Sequence, residues 1–327
     1  MVKQWNELSV LVVGCGSIGK RHARVLTGLG VADIRACDPS TEQRAALAIE
    51  SPNVRMHESF ADGLLARPDT VLLCTPPEMH VPMACRAIEA GCHVLTEKPL
   101  SDRTDGIDAL EVLAADRRKK IMVALCFRYH EGLLRAKEYV ASGRIGRLVS
   151  IRALMGEHLP AIRPDYRTLY LAQHNGAFEL MHDLDLAIWY AAQPVRKAHC
   201  VFGSYSDIGI QSPDVVEFLL DFEDRCAATV HLDFFQSPRR RQMELIGTKG
   251  VITVEFARWD HCTVSVFETS AGVWQVEELA TDRDDMFRAE DREFLEAVAG
   301  DRPIRCTLAE GRKTVELVAS AQQNQLR

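Results

Sequence analysis

Leu8-Ser9-Val10-Leu11-Val12-Val13-Gly14-Cys15-Gly16-Ser17-Ile18-Gly19 decides how the first third of the chain folds. Leu8–Val13 is an apolar run of strand length, and the stretch from Ser17 to Leu29 reads as a helix. Three glycines stand between and beside them in the pattern G-x-G-x-x-G. Gly14 permits a tight turn, Gly16 lets a backbone approach a pyrophosphate, and Gly19 lets the helix pack closely. Amides at the helix start would then meet the phosphate charge. Alone, the pattern also fits an ordinary strand-to-helix turn. The alternation of strands and helices around it favours a dinucleotide site built from Gly14, Cys15, Gly16, Ser17, Ile18 and Gly19.

Asp33–Cys37 is the second strand, and Asp38 follows it, 19 residues beyond Gly19. A carboxylate there can accept both hydroxyls of an adenosine ribose and would repel a 2′-phosphate, which favours NAD. Arg44 is near enough in sequence to lean back, so NADP stays open. Thr70–Leu73, Cys92–Leu95 and Ile121–Leu125 read as further strands. Met79–Ala90 has helical spacing and stops at Gly91, and Ser101 is placed to cap the helix that follows. Such a series implies a parallel sheet covered on both faces. Two loops fall at carboxyl ends of its strands, where a bound cofactor is expected. One is Thr75-Pro76-Pro77 with His80; the other is Thr96-Glu97-Lys98-Pro99. An ammonium at Lys98 could orient a nicotinamide ribose and a substrate hydroxyl together, or simply be a surface lysine in a turn.

The pattern changes near residue 125. A helix over roughly Gly132–Ala141 and another over Ala177–Ala191 are set among strands at Leu148–Leu154, Val195–Phe202, Val215–Phe222, Cys226–Phe234, Gln242–Ile246, Val251–Val254, Val264–Phe267 and Val273–Glu277. Short strands separated by turns favour an antiparallel or mixed sheet. Asp285–Val298 and Ala309–Gln322 read as closing amphipathic helices. The expected fold is α/β: a Rossmann domain over 1–124 and a C-terminal α/β domain with an open, largely antiparallel sheet over 125–327. A crevice between them is the expected place for a site.

Composition narrows the partners. The chain has 327 residues, 47% hydrophobic, with 46 acidic against 39 basic side chains and a net charge of −7, so nonspecific nucleic-acid binding is not expected. No apolar run reaches the length of a membrane span and no secretory leader is evident. Ten cysteines are scattered without a Cys-x-x-Cys pair, several inside apolar runs. Buried thiols in a reducing cytoplasm are the expectation.

The ordered combination of the glycine turn, Asp38, Thr75-Pro76-Pro77 with His80, and Glu97-Lys98-Pro99 resembles the glucose–fructose oxidoreductase / inositol dehydrogenase (Gfo/Idh/MocA) family. Phe127-Arg128-Tyr129-His130, Leu159-Pro160 with Arg163 to Arg167, and Glu179-Leu180-Met181-His182-Asp183-Leu184-Asp185 resemble its branch found in sugar-nucleotide and sialic-acid-type biosynthesis clusters. His231-Leu232-Asp233 and Glu244-Leu245-Ile246-Gly247 extend the match. The resemblance implies reversible hydride transfer between NAD(P) and a carbon bearing a hydroxyl of a sugar, sugar derivative or cyclitol. It also implies that Lys98 and His182 occupy the catalytic positions, and that the open sheet supports a homodimer or homotetramer. The chain departs from the family pattern at Asn175, Phe178 and Glu131.

Helical spacing would put Glu179, His182 and Asp185 on one face. His182 could exchange a hydroxyl proton while Glu179 fixes its tautomer, and Lys98 could stabilise oxyanion charge. Glu179 and His182 also have metal-ligand spacing, with His158 or His174 as a third ligand, but hydride transfer to a nicotinamide does not require a metal. Arg163, Asp165, Tyr166 and Arg167 could grip a carboxylate or phosphate and stack on a sugar, or form a salt-bridged loop. Arg239-Arg240-Arg241 reads as a solvated hairpin flank. The expected function is an NAD(P)-dependent oxidoreductase with no metal and no nucleic-acid or membrane partner. The alternative is a non-catalytic NAD(P)-binding sensor or interaction protein of the same fold.

Overall fold

Strand β1 (Ser9–Val13) is buried along its whole length. The reason is its place inside a six-stranded sheet with β2 (Asp33–Cys37), β3 (Arg55–His57), β4 (Thr70–Leu73), β5 (His93–Glu97) and β6 (Ile121–Ala124). The order is β3-β2-β1-β4-β5-β6, and every pairing is parallel. The connections run through α1 (Ser17–Gly28), α2 (Thr41–Glu50), α3 (Phe60–Leu65), α4 (Pro77–Glu89) and α5 (Ile107–Asp116). Strand order reverses between β1 and β4, so the loops leaving these two strands flank the switch point at which such sheets bind ligands. The computed structural model describes residues 3–169 and 176–323. One local expectation shifts: α5 starts at Ile107 behind Gly106, whose φ is +79°, and not directly behind Ser101. The Ser101 hydroxyl instead accepts the Arg103 amide within a turn.

The second unit is built on an eight-stranded sheet. It contains β7 (Leu148–His158), β8 (Val195–Gly203), β9 (Val215–Phe222), β10 (Ala227–Asp233), β11 (Phe235–Gly247), β12 (Gly250–Glu255), β13 (His261–Glu268) and β14 (Trp274–Ala280). The order is β14-β13-β12-β11-β7-β10-β9-β8; β7 and β10 pair in parallel and the rest are antiparallel. Register separates the two faces cleanly. Phe218, Val230, Ala153, Met243, Val254 and Val264 are cross-strand neighbours and all buried. One residue along, Leu219, Thr229, Arg152, Glu244, Thr253, Ser265 and Val276 form the other row, half-buried or exposed. Helices α6 (Glu131–Ala141), α7 (Leu159–Ile162), α8 (Tyr166–Leu169) and α9 (His182–Ala191) belong to this unit, α9 packing on β7 and β10 and α6 on β12 and β13.

Helices α10 (Arg283–Ala299) and α11 (Leu308–Gln323) close the chain. The compact units are Met1–Cys126 with Asp284–Glu316, and Phe127–Arg283 with Leu317–Arg327. Most of α10 therefore belongs with the parallel sheet, against the expectation that 125–327 form one continuous domain. Buried Phe294 and Leu295 join that core, and a Met122–Thr307 bridge extends it beyond β6. Local sequence carries no sign of this return, because it depends on contacts with residues far back in the chain. All ten cysteines are free thiols, eight of them buried.

Candidate functional site

In the parallel-sheet unit the glycine turn has the geometry its sequence demands. Gly14 adopts φ +95°, and a Cβ there would lie 2.6 Å from the carbonyl oxygen of Cys74, in the loop after β4. A Cβ at Gly19 would collide with the Gly14 carbonyl. At Gly16 a Cβ would meet nothing within 4 Å, so the space over the start of α1 is open. Gly16 is the N-cap of α1 and no side chain caps the helix. Uncapped first-turn amides beside open space suit the negative pyrophosphate of a dinucleotide.

Asp38 stands across this turn. Its Oδ2 accepts the Cys15 amide at 2.7 Å and its Oδ1 accepts the Ser40 amide at 2.8 Å, which fixes the carboxylate at the end of β2. Each oxygen keeps a further lone pair for a ribose hydroxyl. Burial and the neighbouring Asp38 push the Cys15 thiol up to about 11, so Cys15 is a neutral wall of the site. Arg44 donates to the carbonyls of Asp38 and Pro39, folding its guanidinium over the turn's own backbone.

The two remaining loops are tied together. His80 is buried in α4, with Nε2 2.8 Å from the Thr75 carbonyl and Nδ1 2.8 Å from the Pro99 carbonyl. It thus links the Thr75-Pro76-Pro77 loop to the Lys98-Pro99 turn, and burial lowers its pKa. Pro76 is exposed, and Thr75 and Lys98 are half-buried. Lys98 donates its amide to Glu97 Oε2 at 3.0 Å. Glu97 Oε1 in turn lies 3.3 Å from Nε2 of His22, a fully buried residue of α1 whose Nδ1 contacts Asp291 at 2.9 and 3.0 Å. Sequence reasoning missed His22 and Asp291, which lie 269 positions apart.

In the second unit His182 is the first residue of α9, half-buried, with its ring 4.9 Å from that of Phe127. Glu179 is not on the same helix; it lies in the separate 3-10 turn Gly176–Leu180. A single helical face of Glu179, His182 and Asp185 is therefore not formed. Asp185 makes a buried ion pair with Arg128, at 2.8 Å to Nε and 2.6 Å to Nη2. Asp183 likewise pairs with Arg241, at 3.2 and 2.6 Å, and the Arg241 guanidinium lies 3.6 Å from the Phe127 ring centroid.

Arg239 and Arg241 are consequently not a solvated flank. They sit inside β11, Arg241 nearly inaccessible and Arg239 bonded to Glu157 while lying over Trp259; only Arg240 is exposed. A charge run looks solvated in sequence because its buried partners lie elsewhere in the chain. The alternation of strand positions was the signal that could have turned Arg239 and Arg241 inward. His130 packs against Phe127 and Phe256, and burial with Arg241 beside it lowers its pKa to about 4, so it is neutral near pH 7. Tyr166 is buried with its hydroxyl donating to the Ile208 carbonyl, and the same oxygen accepts from Arg167. Its hydroxyl is thereby held in the loop's own structure. Arg163, Asp165 and Arg167 are exposed. Among the described residues no cluster of His, Cys, Asp or Glu is arranged to hold a metal ion, and His174 lies outside them. No described helix is long and apolar enough to cross a membrane.

Comparison with known proteins matches both units. Residues 8–125 match the oxidoreductase family model with an NAD-binding Rossmann fold, and residues 133–253 match the GFO/IDH/MocA C-terminal domain. UDP-N-acetylglucosamine 3-dehydrogenase of Acidithiobacillus ferrooxidans is 26% identical over 93% of both chains. Inositol 2-dehydrogenase 2 of Saccharopolyspora erythraea is 31% identical over 58% of this chain and 56% of its own. The solved structure of GenD2 from gentamicin A biosynthesis in complex with NAD shares the fold with a TM-score of 0.83, at 24% identity over 99% of this chain and 95% of that one. The two matched models, one over each unit, thus place the chain in the Gfo/Idh/MocA family of oxidoreductases, with an NAD-binding Rossmann fold in the first unit.

Proposed function

We propose that this chain is an NAD-dependent dehydrogenase or reductase acting at a hydroxyl-bearing carbon, or the corresponding ketone, of a sugar, sugar derivative or cyclitol. The observation that carries the reading is the open, uncapped start of α1 beside the anchored Asp38 carboxylate. NAD, when bound, supplies the carbon that accepts or gives up hydride. Residues Gly14 to Gly19 would hold its pyrophosphate and Asp38 its adenosine ribose. Thr75, Pro76, Glu97 and Lys98 would form the nicotinamide side, with His80 holding the loops. Arg44 bonds to the turn carbonyls, which supports NAD over NADP.

In the oxidative direction His182 takes the substrate's hydroxyl proton, and the Lys98 ammonium stabilises charge on that oxygen. The neutral, enclosed His130 is a poor alternative base. Glu179 is retained as a group that orients the proton transfer, and Arg163, Asp165 and Arg167 as substrate contacts. The substrate class draws support from the relatives that act on UDP-N-acetylglucosamine and inositol. The open row of the eight-stranded sheet supports assembly as a homodimer or homotetramer. The test is titration with NADH and NADPH, followed by a turnover screen of sugars, uronic acids, amino sugars, nucleotide sugars and inositols. Tighter NADH binding with turnover of one class supports the reading. NADH binding with no turnover across the panel would favour a sensor instead.

A further inference from the structure

The buried ion cluster behind the Glu97-Lys98 turn has no place in the proton transfer just described. His22 has no accessible surface, and neither does the Asp291 side chain. The imidazole bridges two carboxylates from different elements: Asp291 on α10 at Nδ1, and Glu97 at the end of β5 at Nε2. Carboxylates accept and do not donate, so both ring nitrogens must carry protons for both contacts to be hydrogen bonds. Glu97 passes the restraint on, because its second oxygen holds the Lys98 amide at 3.0 Å.

We propose that His22 is a positioning residue, held as an imidazolium between Asp291 and Glu97, that fixes the Glu97 carboxylate and through it the backbone carrying Lys98. This rests on the oxidoreductase reading for Lys98, but the charge state of His22 does not. The surroundings are charged on several sides. Asp291, Glu290 and Glu293 come from α10, Glu97 and Lys98 from the end of β5, Arg21 from α1, and Cys74 from the loop after β4. Arg21 is itself engaged with Asp284 at 3.3 Å and shares the Phe287 ring with His22. Glu290 is fully buried, and neither carboxyl oxygen has a hydrogen-bond partner among the described residues. Burial and the neighbouring Glu97 and Asp291 push its pKa well up, which disfavours a third negative charge beside His22. The two carboxylates that raise the proton affinity of His22 against its own desolvation are then Asp291 and Glu97.

Two measurements on the full chain test this. The first is NMR of isotope-labelled histidine, without coenzyme, from about pH 5 to about pH 8, a range that covers an ordinary imidazole titration. The His22 ring stays doubly protonated throughout, and Asp291→Asn brings its titration down into that range. A neutral His22 ring near pH 7 overturns the proposal whether or not any substrate turns over. The second is a double-mutant cycle on single-turnover hydride transfer. Displacing Lys98 in His22→Gln costs about 10²-fold, the scale of a misplacement near an ångström. Because His22 acts through Lys98, the His22→Gln/Lys98→Ala protein loses no more than Lys98→Ala alone. Losses that multiply would show an independent structural role and overturn the proposal. Should His22→Gln not fold, Asp291→Asn, which loosens His22 from the side away from the coenzyme, carries the same cycle, with the same two outcomes.

Discussion

Asp38 and Cys15 meet across the glycine turn, the carboxylate Oδ2 accepting the Cys15 amide at 2.7 Å. The bond ties the end of β2 to the start of the turn after β1. The one contact thus orders the glycine turn and fixes a carboxylate beside it.

Coenzyme choice should respond to this carboxylate. Asp38→Ser removes a charge-assisted acceptor from the ribose hydroxyls and the repulsion toward a 2′-phosphate. NADH binding should weaken about tenfold or more, the scale of a hydrogen bond to a charged group, and discrimination against NADPH should fall. Fluorescence titration with both reduced coenzymes checks this. An unchanged preference would move the ribose contact elsewhere.

The glycine turn was legible because everything that shapes it lies within a few residues: strand, φ-positive Gly14, helix start. The sheet of the second unit was legible for the same reason, since alternation along each strand records which face is buried. What escaped was set by distant partners. His22 is one buried histidine in an amphipathic helix until Asp291 arrives from the far end of the chain. Nothing close to Asp183 and Asp185 in the sequence announces Arg241 and Arg128, which meet them inside the fold. Glu179 and His182 looked like one helical face because spacing does not reveal the 3-10 turn that ends before α9.

The Arg241–Asp183 pair should matter to stability more than a surface pair. Burial pushes the Asp183 pKa up while Arg241 pulls it back, so the pair is held by mutual neutralisation. Asp183→Ala leaves a guanidinium with no counter-charge in a desolvated site and should cost about 3–5 kcal/mol. Urea denaturation measures it. A loss below about 1 kcal/mol would show that water or a neighbour compensates.

His231 gives stability a pH dependence. Hydrogen bonds to Asp233 and Glu217 raise its pKa to about 9. A folded-state value above the unfolded one, about 6.5, means that the stabilisation is fully present below about pH 6.5. It is lost as pH rises through about 9. His231→Gln should therefore be less stable than the parent near pH 6, with the gap closing toward pH 9.5 or so. A gap independent of pH would contradict the assignment.

Assembly should depend on the open row of the second sheet. Leu219 and Val276 are exposed apolar residues toward opposite sides of that row, and between them lie the small Thr229, Thr253 and Ser265 and the Arg152–Glu244 ion pair. A face of this kind can pack against a second copy of itself. Light scattering should show a dimer or tetramer, and Leu219→Lys with Val276→Lys should shift it toward monomer. A parent protein that is monomeric at assay concentration would refute the assembly.

Single-turnover hydride transfer at saturating coenzyme and substrate isolates the step in which His182 is proposed as acid/base, because steady-state rates can report product release. For a folded His182→Ala protein that still binds NADH, the transfer rate should fall about 10²–10⁴-fold below the parent. Near-parental transfer in that protein would rule out His182 as the acid/base and pass the proton to Lys98 or Glu179.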